Sequence, residues 1–259
     1  IQLNGYSGTV ATLLDSFEWR ATAENAYIGI TGNLNTSTLS NISEQLPGGY
    51  KLTGNVTVSS GHTVVLEEGT CINQQSYDIN VYGTLKVANE TVADAFVSTN
   101  TNTYIWVQKG GLVELTNANI NFSNNGQVFV YDGGIFTMAG GSMYARSNGT
   151  YIQSGGRMQL TGVEVKNHIE NQGALVLEDV ESSSYISGSG SLNAKDSVIS
   201  DYVNAYGATI LENVSCSRLN VSSDTAISTK GDGVTLTGEQ AIQLNGYSGT
   251  VATLLDSFE

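Results

Sequence analysis

The side chains able to do chemistry are few and widely spaced. Asp179 and Asp196 stand 17 residues apart. If that spacing is one structural repeat, their carboxylates stack, which suits either an acid/base pair or an oxygen-ligand seat for Ca²⁺. Glu178 and Glu212 flank the same positions with Lys195 between them, an arrangement that suits a charge ladder. His62 and His168 each lack a Cys or His neighbour at metal-ligand spacing. Cys71 and Cys216 are the two cysteines of the chain. No residue is assigned a catalytic, cofactor-binding or metal-binding role; Ca²⁺ at Asp179 and Asp196 is the one cofactor alternative, and the chain is not read as an enzyme.

Composition narrows the partners. Only 13% of the 259 residues are charged and the formal net charge is −14, which argues against nucleic acid and anionic membrane surfaces. No apolar run approaches the ~18 residues of a membrane span. Eight Asn-x-Ser/Thr acceptors occur, at Asn35, Asn41, Asn55, Asn89, Asn121, Asn148, Asn213 and Asn220. They make these positions candidates for N-glycosylation and point to an extracellular or cell-surface setting, with glycans as further possible partners.

One repetition organises the chain. Residues 1–18 read IQLNGYSGTVATLLDSFE, and residues 242–259 read the same without a difference, so the period is 241 residues. A repeat of this kind marks a stacked architecture and must be settled before other residues are interpreted. Three segments follow: 1–48, an irregular β-rich start; 49–241, a regular body; and 242–259, the start of the next identical repeat. Leu3 and Leu244, and Gly5 and Gly246, are expected in the same columns of one continuing structure. The run Ala11–Arg20 is rich in helix formers, so a short helix is the alternative to strand there.

The body is a ladder. Rungs led by Gly83, Gly111, Gly134, Gly156, Gly173, Gly190 and Gly207 advance by 28, 23, 22, 17, 17 and 17 residues. Two positions on stand Leu85, Val113, Phe136, Met158, Leu175, Leu192 and Thr209. Four positions on stand Val87, Leu115, Met138, Leu160, Leu177, Ala194 and Leu211. Between them lie Lys86, Glu114, Thr137, Gln159, Val176, Asn193 and Ile210, as strand alternation requires. Six positions on, Asn89, Asn117, Gly140, Gly162, Asp179, Asp196 and Asn213 make a corner, since Asn, Asp and Gly tolerate left-handed backbone angles. That corner absorbs Asp179 and Asp196 structurally.

Two further inward columns complete a three-sided rung. The second is Val92, Ile120, Met143, Val165, Ser182, Ile199 and Cys216; the third is Ile79, Val107, Val130, Ile152, Ile169, Ile186 and Val203. Trp106, Phe129, Tyr151, His168, Tyr185 and Tyr202 precede third-column residues and form an outward aromatic stripe, a surface for stacking, lateral contact or sugar binding. The longer rungs are expected to carry their extra residues between the second and third strands, as in Ser98–Asn102 and Arg146–Gly149. Cys71 lies seven rungs before Cys216, about 30 Å away at ~4.8 Å per rung, so any disulfide of either is intermolecular. Cys216 sits in an inward column, where a buried free thiol is the alternative.

These features predict an all-β parallel β-helix, or β-solenoid. The stretch Gly61-His62-Thr63-Val64-Val65-Leu66-Glu67-Glu68-Gly69-Thr70, followed by Val81-Tyr82-Gly83-Thr84-Leu85, resembles the opening rungs of right-handed parallel β-helix proteins of prokaryotic cell surfaces, of the archaeal or bacterial sheath and surface-layer type. The glycine-led rungs carry the resemblance across 49–223. It implies a structural cell-envelope protein whose solenoid units stack head-to-tail and laterally into a sheath, surface layer or amyloid-like cross-β filament, with itself as main partner. The alternative is an adhesin that uses the solenoid as a stalk and its loop face or aromatic stripe for binding; a polysaccharide lyase or hydrolase is third.

Overall fold

A computed structural model describes residues 1–3, 5–15, 25–145, 149–222, 227–247 and 254. Among these, 24 strands join in one sheet coiled into a parallel β-helix with three faces. The first face runs from Thr63–Leu66 through the opening halves of Thr84–Ser98, Leu112–Phe122 and Ile135–Ala145, then Arg157–Thr161, Ala174–Glu178 and Ser191–Lys195. It ends on the opening parts of Thr209–Ser222 and Ile227–Leu236.

This face has the expected register throughout. Leu85, Val113, Phe136, Met158, Leu175, Leu192 and Thr209 are successive partners, and all point inward and are buried. Removing a ring such as Phe136 from water contributes on the order of 2–3 kcal/mol. The leading glycines are required by close approach of the rungs. A Cβ on Gly111 would strike the Val81 carbonyl, and one on Gly207 the Gly190 carbonyl.

The corner after the first face is left-handed at Asn117, Gly140, Gly162, Asp179, Asp196 and Asn213. Asn89 is the exception and does not have a positive φ. Four residues, 89–92, lie between Ala88 and Ala93, where the next rung places Asn117 alone between Thr116 and Ala118. The longer excursion lets the chain turn without a left-handed residue at Asn89. It also moves Val92 out of the second column: Val92 is 55% exposed, and Phe96 takes its place opposite Ile120. The remaining members, from Ile120 to Cys216, are aligned as expected.

Rung length therefore changes at every corner, not only between the second and third strands. Besides the first-corner excursion, Asn171 to Ala174 is a shorter third corner than Ile152 to Arg157. Residues 146–148 of the expected second insertion lie outside the described residues. These changes shift the third column by two residues twice. Ile79 faces Ile105, with Val107 opposite Val81; Thr150 faces Ile169, with Ile152 opposite Asn171. Because the shift is two, inward residues stay inward. The buried Asn171 is satisfied by donating from Nδ2 to the Ser191 carbonyl and accepting from the Gly173 amide, at 2.8 and 3.1 Å.

Upstream of residue 49 the solenoid is already present. Gln2–Leu3, Ile28–Ile30 and Tyr50–Leu52 stack on the second face, and Thr38–Leu39 pairs with Val65–Leu66 on the first. Between them a helix, Val10–Asp15, buries Val10 and Leu14 in the core and packs near Thr38–Leu39. The helix-former reading of this run is the observed one over Val10–Asp15; residues 16–20 lie outside the described residues. At the other end Ile242–Asn245 pairs with Leu219–Ser222 on the third face. The two copies of the repeated strand thus hold different faces, contrary to the same-column expectation.

Candidate functional site

Strand alternation on the third face sends the aliphatic residues in and the aromatic ones out. Trp106, Phe129 and Tyr151 are register partners, with ring centroids 5.2 and 4.6 Å apart. Tyr104 stacks on Trp106 at 4.8 Å, and Tyr131 packs against Phe129 at 4.6 Å. The rings are partly buried by one another. Asp78 holds the ladder's first end: its Oδ2 accepts from Trp106 Nε1 at 3.0 Å and its Oδ1 from the Tyr104 amide at 3.1 Å. Burial raises the Asp78 carboxyl above its ordinary pKa, and these two donors act in the opposite direction.

The six-ring stripe is two ladders. At Tyr151 the register shift interposes: Tyr151 faces Glu170, and His168 lies beside Gly149 instead. A second stack then runs His168, Tyr185, Tyr202 at 4.8 and 4.7 Å, and the Arg218 guanidinium covers Tyr202 at 5.2 Å. Asp78 was not singled out from the sequence. Its signal was the Ile79–Ile105 pairing, which sets Asp78 beside Tyr104 and which a glycine-anchored count misses.

On the first face the outward row is in register from Lys86 to Ile210. Lys86 and Glu114 pair at 2.5 Å, and with Thr137 and Gln159 they line a shallow depression of about 380 Å³. At the corner Asp196 and Asn213 stack, with Asn213 Nδ2 donating to Asp196 Oδ1 at 2.7 Å; Lys195 lies 3.7 Å from Glu212 and 3.9 Å from Asp196. Glu178, Lys195 and Glu212 are successive register partners. The main-chain amides of Asp179 and Asp196 bond the carbonyls of Lys195 and Glu212, so both residues serve the turn. His62 is exposed near the Ser60 carbonyl, whereas His168 belongs to the second ladder and contacts Asn167. Among the described residues no three His, Cys, Asp or Glu side chains gather as a metal would need.

Both cysteines are free. Cys216 is 1% exposed, and burial pushes its thiol up to about 11 against a smaller opposing effect of the Arg218 amide. Cys71 is half-buried; burial, then the nearby Asp94 charge, raises it to about 11. Of the glycosylation acceptors, Asn41, Asn55, Asn121 and Asn213 are exposed and Asn35 is half-buried. Asn89 and Asn220 are 4% and 5% exposed, and Asn220 Nδ2 is held by Asn204 at 2.6 Å. Asn148 lies outside the described residues.

At the turn after its strand the repeated segment has the same local form in both copies. Gly5 and Gly246 turn the chain at φ +68° and +69°, and Tyr6 and Tyr247 both pack against the core. Leu3 is 3% exposed and Leu244 45%. The second copy is tied down by Asn245 Nδ2, which donates to the Tyr206 hydroxyl at 2.9 Å. Comparison with family models, curated proteins and solved structures finds no match, so geometry carries the functional argument.

Proposed function

We propose that this chain is a structural unit of an extracellular, cell-envelope assembly, in which solenoid units stack end to end into a sheath, surface layer or filament. One observation carries the reading. An identical 18-residue segment recurs at a 241-residue period, and both copies dock by strand pairing on the same solenoid. A solenoid strand with a free edge templates further pairing, and end-to-end stacking satisfies it. The acidic balance, with a net charge of −14, suits a soluble rod whose lateral contacts are salt- or cation-dependent.

The test is electron microscopy with light scattering over a concentration series of the purified chain. Filaments one solenoid wide, with an axial ~4.8 Å reflection, are expected. Monodisperse particles with free ends at every concentration refute the assembly. The adhesin reading is favoured by the half-buried Tyr104–Trp106–Phe129–Tyr131–Tyr151 ladder, since aromatic faces suit sugar rings. Glycan-array binding lost in Trp106→Ala would support it.

A further inference from the structure

We infer that the repeated segment is a shared rung, a single strand with two pairing edges that joins one 241-residue unit to the next copy of that unit. One edge seats on Leu219–Ser222 of the first unit, and the other seats on Ile28–Ile30 of the next. The inference rests on the assembly reading and specifies its joint.

The two docked copies display the two edges separately. At the start of the chain the Gly29 amide donates to the Ile1 carbonyl at 2.9 Å. At the end the Leu219 amide donates to the Ala241 carbonyl at 2.8 Å. Ala241 immediately precedes Ile242, the copy of Ile1. Successive carbonyls of an extended strand point to opposite edges. With the Ala241 carbonyl turned toward Leu219, the Ile242 carbonyl is turned to the far edge, where its copy Ile1 receives Gly29. One strand can therefore make both sets of bonds at once, and neither uses a group the other needs.

Side-chain direction passes the same check. Leu244 is opposite Val221, and its copy Leu3 is opposite Ile30. Val221 and Ile30 are both fully buried, so the leucine points inward in both settings. A one-residue mismatch would have turned it outward in one of them. Leu3, covered from its own unit, is 3% exposed, while Leu244 retains 45% exposure that a following Ile30 would cover.

One position beyond the strand behaves in the same two-sided way. In the first copy Val10 and Leu14 are buried while Leu13 is partly exposed. In the second copy Leu254, the equivalent of Leu13, is helical and 4% exposed. The one position described in both copies, part-open as Leu13 at one end of the solenoid, is buried as Leu254 at the other.

The joint also fixes an angle. The segment sits on the third face of the unit before it and on the second face of the unit after it. Each 241-residue unit is thus turned by one face, about a third of a turn, and the aromatic ladders of successive units lie on successive sides of the rod.

A two-unit chain, residues 1–241 followed directly by 1–259, tests this by cryo-electron microscopy. The expected result is one unbroken solenoid with Val221, the joint leucine and the second Ile30 in one inward column, and the second unit's ladders displaced by one face. Small-angle scattering of the same chain should give an unchanged cross-section and roughly doubled length. Two separated or side-by-side solenoids, or a second unit seated on any other face, overturn the inference. Because the two units are covalently linked, this result is independent of whether single chains form filaments, and failure of the filament test alone leaves the joint standing.

Discussion

Asn89 and Asn117 clasp each other across one rung step. Asn89 Nδ2 donates to the Asn117 carbonyl at 3.1 Å, and Asn117 Nδ2 donates back to the Asn89 carbonyl at 3.0 Å. Asn89 Oδ1 also accepts from the Gly69 amide at 3.2 Å, so one side chain ties three rungs where the long first corner interrupts the ladder. Asn117 has φ +48°, so Asn117→Ala loses the side-chain half of the clasp, donated by Asn117 Nδ2, and a tolerated left-handed residue, at a cost of about 2–3 kcal/mol. Asn117→Gly keeps the backbone angle and should cost about 1 kcal/mol less in urea denaturation; equal losses would show that the angle contributes nothing.

The same clasp decides glycosylation. Attachment at Asn89 replaces one hydrogen of the Nδ2 that bonds Asn117 and places a sugar on a nitrogen packed against the next rung, at a position 4% exposed. When the chain is secreted from a glycosylating host, folded protein should carry glycan at Asn55 and Asn121, both exposed, and none at Asn89. Glycopeptide mass spectrometry reads the occupancy directly. Full occupancy of Asn89 in folded material would contradict the clasp.

Cys71 and Cys216 make stability fall in alkali. Each thiol is raised in the folded chain from about 9 to about 11, chiefly by burial. Between those values the unfolded chain has lost a proton that the folded chain retains, so unfolding is increasingly favoured as pH rises. The contribution is fully present below pH 9 and is lost by pH 11. Urea midpoints should drop steadily over this interval, and Cys216→Val should flatten the slope. A midpoint independent of pH from 9 to 11 would refute the burial of both thiols.

Two identical sequence positions should respond unequally. Leu3→Ala removes a side chain 3% exposed and should cost about 2–3 kcal/mol, whereas Leu244→Ala, at 45% exposure, should cost less than about 1 kcal/mol in the dispersed chain. Equal costs would mean that the two ends are packed alike.

The first face was legible from residue spacing because each strand follows its glycine at constant distance: Leu85 through Thr209 needed no knowledge of the corners. Val92 was misplaced because the four residues 89–92 occupy a corner that Asn117 turns alone. The aromatic stripe was legible as a set of outward rings. Its break between Tyr151 and His168 was not, since an even register shift preserves the inward–outward pattern on which the sequence reading depends.

What the sequence alone determined is local or exact: two-residue alternation, small residues where rungs approach closely, tolerant residues at the tight corner, and the 18-residue identity. These depend on a residue's own backbone angles and volume, or on simple comparison. Only the tertiary structure decided which residues meet across rungs. It set Asp78 beneath Trp106, closed the Asn89–Asn117 clasp, and placed one copy of the repeated strand on the second face and the other on the third. The physical reason is that register in a parallel solenoid is the accumulated length of every preceding corner, a quantity no single strand encodes.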